Sequence, residues 1–235
     1  MQIKLSKQDA IYVFIQARFG SIRLPGKVMK PLLNKNLLSW SVERALKIHP
    51  LAQVVVLTGD TEDNTPIIDW CNDNNILLFQ GSEGDVLNRF RKATDTFKAN
   101  TVIRLTADNP LFDYVTARAL LAVHLIEKAD YSCNKSEIGS GMPDGIGVEI
   151  FSASILHRLD DMTLSNSHRE HINDYILENP NQFTKCFWLK LPTDYSKYSF
   201  TIDTSEDYNR VLSWITKYDN HQDSDYWRKI VINED

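Results

Sequence analysis

The order of apolar and polar residues predicts a doubly wound α/β domain with a mostly parallel sheet. Short apolar runs rich in β-branched and aromatic residues alternate with longer segments whose apolar residues recur at helical spacing. The runs are apolar at consecutive positions, as strands covered by helices on both faces require. Tyr12-Val13-Phe14-Ile15 reads as the first strand, and Leu37 to Ile48, with Leu38, Val42, Ala45 and Leu46 on one side, as the first helix. Val54 to Leu57 is the next strand, Ile67 to Asn74 a helix, and Ile76 to Phe79 a third strand. A helix from Asp85 to Phe97, a strand from Val102 to Leu105 and a helix from Val115 to Lys128 continue the rhythm.

Beyond Asp130 the alternation loosens. Gly139, Gly141, Gly145 and Gly147 crowd around Met142-Pro143-Asp144, the composition of a mobile loop. Val148 to Phe151 reads as a strand, Ser167 to Leu177 as a helix, Phe183 to Leu191 and Phe200 to Ile202 as strands, and Ser205 to Tyr218 as the last helix. Ser205-Glu206-Asp207 supplies that helix with an N-cap and first-turn acids. No repeat or linker divides the chain, so residues 1–235 are read as one domain with a less regular third at about 134–200.

Composition narrows the function. The chain has 235 residues, of which 43% are hydrophobic and 24% charged, enough for a single sizeable core. Its 26 Lys+Arg against 31 Asp+Glu leave a net charge of −5, which argues against a general nucleic-acid or anionic-membrane binder. Cys71, Cys133 and Cys186 form no CxxC pair and point to a reducing, cytoplasmic setting. No apolar run has the length of a signal peptide or membrane span. Trp40, Trp70, Trp188, Trp214 and Trp227 are scattered, unlike a base-stacking platform.

The charge is unevenly placed. From Ala10 to Ser41 there is no acid, while Arg18, Arg23, Lys27, Lys30 and Lys35 contribute +5 and leave −10 for the rest. In a parallel α/β sheet ligands gather beyond the carboxyl ends of strands. There stand Gln16-Ala17-Arg18, Thr58-Gly59-Asp60, Gln80-Gly81-Ser82, Thr106-Ala107-Asp108 and Asp203-Thr204. The loop after strand one combines Gly20 and Gly26, which permit close backbone approach, with Arg18, Arg23 and Lys27, and so suits a nucleoside triphosphate. It is not a P-loop, since Val28 follows Lys27, and no GxGxxG is present.

These residues also carry a resemblance. Ile15-Gln-Ala-Arg18-Phe-Gly-Ser21-Ile-Arg23-Leu-Pro-Gly-Lys27 resembles the signature of the cytidylyltransferases that activate acidic sugars, the group of the CMP-Kdo and CMP-sialate synthetases. The SpsF-like branch, named for spore-coat polysaccharide biosynthesis, is the nearest in pattern. Gly81-Ser82-Glu83-Gly84-Asp85-Val86-Leu87-Asn88-Arg89-Phe90 and Arg104-Leu105-Thr106-Ala107-Asp108-Asn109-Pro110-Leu111 follow in register. So do Pro143 to Glu149, Arg169-Glu170-His171 and Asp203-Thr204-Ser205-Glu206-Asp207. The resemblance spans about residues 11 to 212, and five motifs following the first in order make it specific.

It implies a Rossmann-like nucleotide-diphospho-sugar transferase (GT-A-like) fold, CTP as donor, an acidic sugar as acceptor, Mg²⁺ as cofactor and a homodimer joined through the C-terminal third. Arg18, Arg23 and Lys27 would hold the β- and γ-phosphates, and Asp108 and Asp203 would hold the metal. Nucleotide contacts are expected from Ala17, Arg18, Gly20, Ser21, Arg23, Lys27, Gly81, Ser82, Arg89 and Asp108. Asp144, Glu149, Arg169, Glu170 and His171 fall where the family builds its acceptor pocket, with Arg169 suited to a carboxylate. Alternatives stand beside several of these roles. Asp108 precedes Asn109-Pro110 and suits a turn; Asp203 suits a helix cap; Gly81 and Ser82 suit the start of the helix at Asp85; His171 suits simple packing. One position departs from the branch: Gly147 stands where the family has Asp, which removes a carboxylate. A nucleotide-sugar glycosyltransferase is a competing reading, but it needs a DxD at a strand end, and Asp160-Asp161 is not one. A non-catalytic nucleotide-binding protein is another.

Overall fold

The computed structural model describes residues 10–162, 164–183, 190–218 and 223–234, and the backbone of 186–188. The strands are β1 (Ile11–Gln16), β2 (Pro31–Leu32), β3 (Lys35–Asn36), β4 (Gln53–Gly59), β5 (Leu77–Gly81), β6 (Thr101–Thr106), β7 (Tyr131–Cys133), β8 (Glu149–Ser152) and β9 (Cys186–Trp188). The helices are α1 (Leu37–Ala45), α2 (Thr65–Asp73), α3 (Val86–Phe97), α4 (Tyr114–Glu127) and α5 (Ala153–Asp160). They continue with α6 (Asn166–Glu170), α7 (Asp174–Glu178), α8 (Ser205–Lys217) and α9 (Tyr226–Glu234).

Seven strands form one sheet in the order β5-β4-β1-β6-β8-β7-β9, and β2 and β3 form a small hairpin beside it. β1 pairs in parallel with both β4 and β6, so the chain winds one way to β4 and β5 and then crosses back to β6. The carboxyl ends of β1 and β6 therefore lie at a switch in strand order, where a crevice opens. β8 is antiparallel to β6 and to β7, which interrupts the parallel pairing before β7 and β9 pair in parallel at the edge.

Period-2 alternation divides the core between the two faces. Val13, Ile15, Val54, Val56, Ile103 and Leu105 face one side, packing with α1, α2 and α4. Tyr12, Phe14, Val55, Leu57 and Val102 face the other, under α3 and α5. A third cluster gathers Trp40, Phe200, Ile202, Trp214 and Trp227, and seats α8 and α9 beside the hairpin and α1. That seating is anchored by polar bonds: Trp227 Nε1 donates to Asp113 Oδ2 at 3.1 Å, and Arg44 Nη1 donates to the Asp223 carbonyl at 3.2 Å. Asp113 also caps α4, accepting from the amides of Val115 and Thr116.

The C-terminal third corrects several expectations. The helix expected over Ser167 to Leu177 is two short helices, α6 and α7, because the chain leaves helical geometry at His171. Phe200 to Ile202 is not a ladder strand. Phe200 N donates to the Asp144 carbonyl and Ile202 N to the Asp108 carbonyl, with a single bridge between Asp144 and Ser199. The strand expected over Phe183 to Leu191 is limited to β9, and residues 184, 185 and 189 of that span lie outside the described residues. β7, α5 and α9 had no counterpart in the sequence reading. The glycine-rich stretch is packed instead of loose. Met142, Ile146 and Gly147 are buried, the Gly141 carbonyl accepts from Tyr195 N at 2.8 Å, and Gly145, at φ +80°, lies so close to Thr201 N that a Cβ would stand 2.6 Å away.

Candidate active site

The loop leaving β1 is folded by its own backbone. Ala17 N donates to the Leu57 carbonyl, Phe19 N to Asn64 Oδ1 at 3.0 Å, and Gly26 N to the Phe19 carbonyl at 3.0 Å. Gly26 adopts φ +66° over the Phe19 ring, a conformation that glycine takes without strain, and opens the turn Lys27–Met29. That turn sends the Lys27 side chain inward, where only 7% of it is exposed.

Lys27 Nζ reaches Asp108 Oδ2 at 2.6 Å and Asp203 Oδ1 at 2.7 Å. Arg23 Nη2 completes the group at 2.8 Å from Asp203 Oδ2. The Ile202 N to Asp108 carbonyl bond, at 3.0 Å, brings the two aspartates side by side. The alternative roles for these aspartates go to their neighbours. The turn after β6 is closed by Asn109, whose backbone N and Nδ2 donate to the Thr106 carbonyl and Oγ1. The cap of α8 is Thr204, in a reciprocal box with Asp207. Asp108 and Asp203 are thereby free to face one ammonium, and two carboxylates with two cations make a locally neutral cluster.

Around this group lies a cleft of about 670 Å³, within the range of pockets that hold small ligands. Of the expected residues, Arg18, Ser21, Arg23, Lys27, Asp108 and Asp203 line it on the loop side. Asp144, Glu170 and His171 line it on the other. Arg18 is more than half exposed and lies 3.8 Å from Glu170 across the mouth.

Other expected residues stand elsewhere. Ala17 is buried, and Gly20 faces open space. Ser82 Oγ accepts from Asp85 N, the Ser82 carbonyl accepts from Arg89 Nη1, and Gly81 packs on the Arg89 stem. This is the helix-start role for Gly81 and Ser82, and it buries Arg89, whose pKa burial lowers. Arg169 turns away from the cleft and bridges Asp85 Oδ2, at 2.7 Å, to Asp160, joining the start of α3 to the ends of α5 and α6. Its guanidinium is engaged by two carboxylates, which removes it from the expected pairing with an acceptor.

Glu149 is the largest correction. It is 2% exposed, and antiparallel pairing sets it directly opposite Arg104. Its Oε2 accepts from Arg104 Nη1 at 2.7 Å and its Oε1 from Tyr131 OH at 2.5 Å, while Lys135 Nζ lies 3.5 Å away. Burial pushes this carboxyl upward, but Lys135 and Arg104 outweigh it and hold the group below its usual range. Glu149 thus stands behind Arg104 and Lys135, and these two cations are what line the cleft. Sequence reading assigned neither a role. The signal for Arg104 was present, because residues 104 and 106 share one face of a strand whose end carries Asp108.

Gly147 explains how Lys135 arrives. A Cβ at 147 would stand 2.6 Å from the Asn134 carbonyl oxygen and 2.6 Å from Lys135 Cα, so the 134–135 backbone occupies the space a side chain would need. Gly147→Ala is expected to cost about 1–3 kcal/mol by overpacking. The measurement is the urea midpoint, and an unchanged midpoint would show that the 134–135 segment yields freely.

The model of the family described as "Cytidylyltransferase" matches residues 12–230. The chain belongs to the cytidylyltransferase family. As a cytidylyltransferase it is a nucleotidyltransferase, and its α/β sheet is the Rossmann-like fold of these enzymes. It is 32% identical to the spore coat polysaccharide biosynthesis protein SpsF of Bacillus subtilis over 216 residues, 89% of this chain and 87% of that one. It is 33% identical to an uncharacterised protein of Methanocaldococcus jannaschii over 87% of this chain and 83% of that one. Among solved structures, a cytidylyltransferase from Leptospira borgpetersenii superposes with a TM-score of 0.88 at 31% identity, covering 95% of this cytidylyltransferase and 94% of the other chain. CMP:2-keto-3-deoxy-manno-octonic acid synthetase complexed with CTP shares the fold at a TM-score of 0.65 and 16% identity, over 88% and 99% of the two chains. Among the described residues no helix is long and apolar enough to cross a membrane.

Proposed function

We propose that this cytidylyltransferase transfers the cytidylyl group of CTP to a hydroxyl of an acidic sugar, releasing pyrophosphate, in the synthesis of a surface polysaccharide or glycan. The carrying observation is the grip of Lys27 on Asp108 and Asp203, with Arg23 attached, at the switch point of the sheet. In the reaction the acceptor oxygen bonds the α-phosphorus as the bond to the leaving pyrophosphate breaks, and the hydroxyl proton passes to solvent water. Such in-line transfer depends on positioning and on neutralising phosphate charge. Arg18 and Arg23, both largely exposed at the mouth, hold the β- and γ-phosphates, and Lys27 stabilises the pyrophosphate as it leaves. Asp108 and Asp203 offer hard carboxylate oxygens that already converge on a cation, the Lys27 ammonium, so the donor set fits a divalent ion such as Mg²⁺. Bound there, the ion supplies Lewis-acid neutralisation of phosphate oxygens. His171, Glu170 and Asp144 border the acceptor side. The enzyme acts as a cytoplasmic homodimer in this reading, and buried thiols at Cys71 and Cys133 suit a reducing compartment.

Pyrophosphate release measured with each of the four nucleoside triphosphates and a panel of acidic and neutral sugars tests this. The expected result is release with CTP, a divalent cation and an acidic sugar together. Release with another triphosphate in preference to CTP would overturn the donor assignment. Release with neutral sugars alone would overturn the acceptor class.

A further inference from the structure

The two cations that the sequence left without a role define a second part of the cleft. Arg104 is 8% exposed and Lys135 is three-quarters buried, yet both line the cavity. They share one fully buried counter-charge, Glu149. The second acid near them, Glu137, is at the surface, where it accepts from Lys135 Nζ at 3.1 Å and from Asn173 Nδ2 at 2.7 Å. A guanidinium carries five N–H donors and an ammonium three. Arg104 directs Nη1 to Glu149 and Asn173 and Nη2 to Gln16 Oε1, and its buried Nε has no partner among the described residues. Leaving such a donor unmet costs free energy unless a ligand meets it.

The same wall holds two further buried polar atoms without partners, Asn109 Oδ1 and Thr201 Oγ1. One accepts and the other both donates and accepts, which suits hydroxyl groups. Of the acids on this side, Glu170 faces Arg18 and Asp144 accepts from Ser199 Oγ at 3.1 Å. Gly147 adds no carboxylate beside Lys135. Two cations with donors to spare and unmet hydroxyl-binding groups thus meet on one inner wall, beside Asp108.

We propose that Arg104 and Lys135 form an anion subsite that takes an oxyanion of the acceptor, a carboxylate or a phosphate monoester, while Asn109 and Thr201 take its hydroxyls. Glu149 and Tyr131 are positioning residues that brace the two cations from behind. The proposal rests on the reading above that an acidic acceptor enters this cleft. It adds the residues that recognise the acid and places them apart from the triphosphate cradle of Arg18, Arg23 and Lys27.

The experiment titrates three probes into the protein by calorimetry: 2-keto-gluconate for a carboxylate, glucose 6-phosphate for a phosphate monoester, and methyl glucoside as the neutral control. Each titration is run with and without a saturating non-hydrolysable CTP analogue, which occupies the triphosphate cradle. One anionic probe is expected to bind at least about tenfold more tightly than methyl glucoside in the presence of the analogue. Lys135→Gln is expected to weaken that anion about tenfold, with methyl glucoside and the CTP analogue unchanged, whereas Lys135→Arg stays within about threefold. The carboxylate and phosphate arms identify which oxyanion the subsite takes. Lys135 reaches solvent, so its variants test the site without unfolding the core. Equal binding of anionic and neutral probes, or an anion affinity untouched by Lys135→Gln, overturns the subsite. Anion discrimination alongside pyrophosphate release with neutral sugars only would overturn the acceptor class and leave the subsite standing.

Discussion

Replacing Lys27 with alanine is expected to lower cytidylyl transfer about 10³-fold, at the upper end of what one preorganised donor contributes to a developing oxyanion. The change removes the ammonium that both Asp108 and Asp203 accept from and leaves two carboxylates facing each other across its place. Asp203→Asn is expected to cost a comparable factor, since Asn keeps an acceptor for Lys27 but loses the charge that pairs with Arg23. Lys27→Arg should rescue little, because a planar fork does not fill a site shaped for one ammonium between two oxygens. Initial rates of pyrophosphate release at saturating CTP, with circular dichroism as the control for folding, measure these effects. Near-normal turnover in both Lys27→Ala and Asp203→Asn would sink the proposed chemistry.

Glu149→Ala is the substitution expected to cost the most stability, about 3–5 kcal/mol, because it strands buried Arg104 without its counter-charge. For a domain of this size that is a fall of about 10 °C in Tm. The wild-type protein should also be acid-sensitive through this residue. A carboxyl held below its usual range in the fold contributes stability that is complete above the ordinary carboxyl range, about pH 4.5, and is lost as the pH falls toward the folded value. Urea midpoints taken from about pH 6 down to 3 should drop in the wild type and drop less in Glu149→Gln, where nothing titrates. Parallel slopes for the two proteins would place the acid sensitivity elsewhere.

These expectations depend on how residues face, and facing is where the sequence was partly mute. β1, β4, β5 and β6 were legible as unbroken apolar runs, and their helices because each is long enough for its period to show. The cluster of Lys27, Asp108 and Asp203 was legible for a related reason: Asp108 and Asp203 lie just beyond a strand or an extended segment, Lys27 lies in the loop that leaves β1, and a parallel sheet brings such loops together. Glu149 was misplaced because β8 is buried at Glu149, Ile150 and Phe151 alike, so alternation does not say which way each side chain turns, and a shift of one residue moves a side chain from one face to the other. Arg169 was misdirected because α6 is only five residues long and the partners that claim it are Asp160, at the end of the preceding helix, and Asp85, from a distant segment. Lys135 follows a three-residue strand and owes its position to Gly147, a contact that exists only after the chain has folded.

The Lys27 grip joins partners 81 and 176 residues apart along the chain. Closing loops of that size is entropically costly, though the cost rises only slowly with length, and it is recovered only once the intervening strands and the C-terminal helices are docked. A chain that has paired β1, β4 and β6 but not yet seated the segment around Asp203 holds the centre of its sheet and at most the Lys27–Asp108 half of its ion cluster. During refolding, therefore, recovered turnover counts only molecules that have completed assembly and should lag behind the return of helical signal. The last quarter of the polypeptide is in this sense the clock by which the enzyme becomes an enzyme.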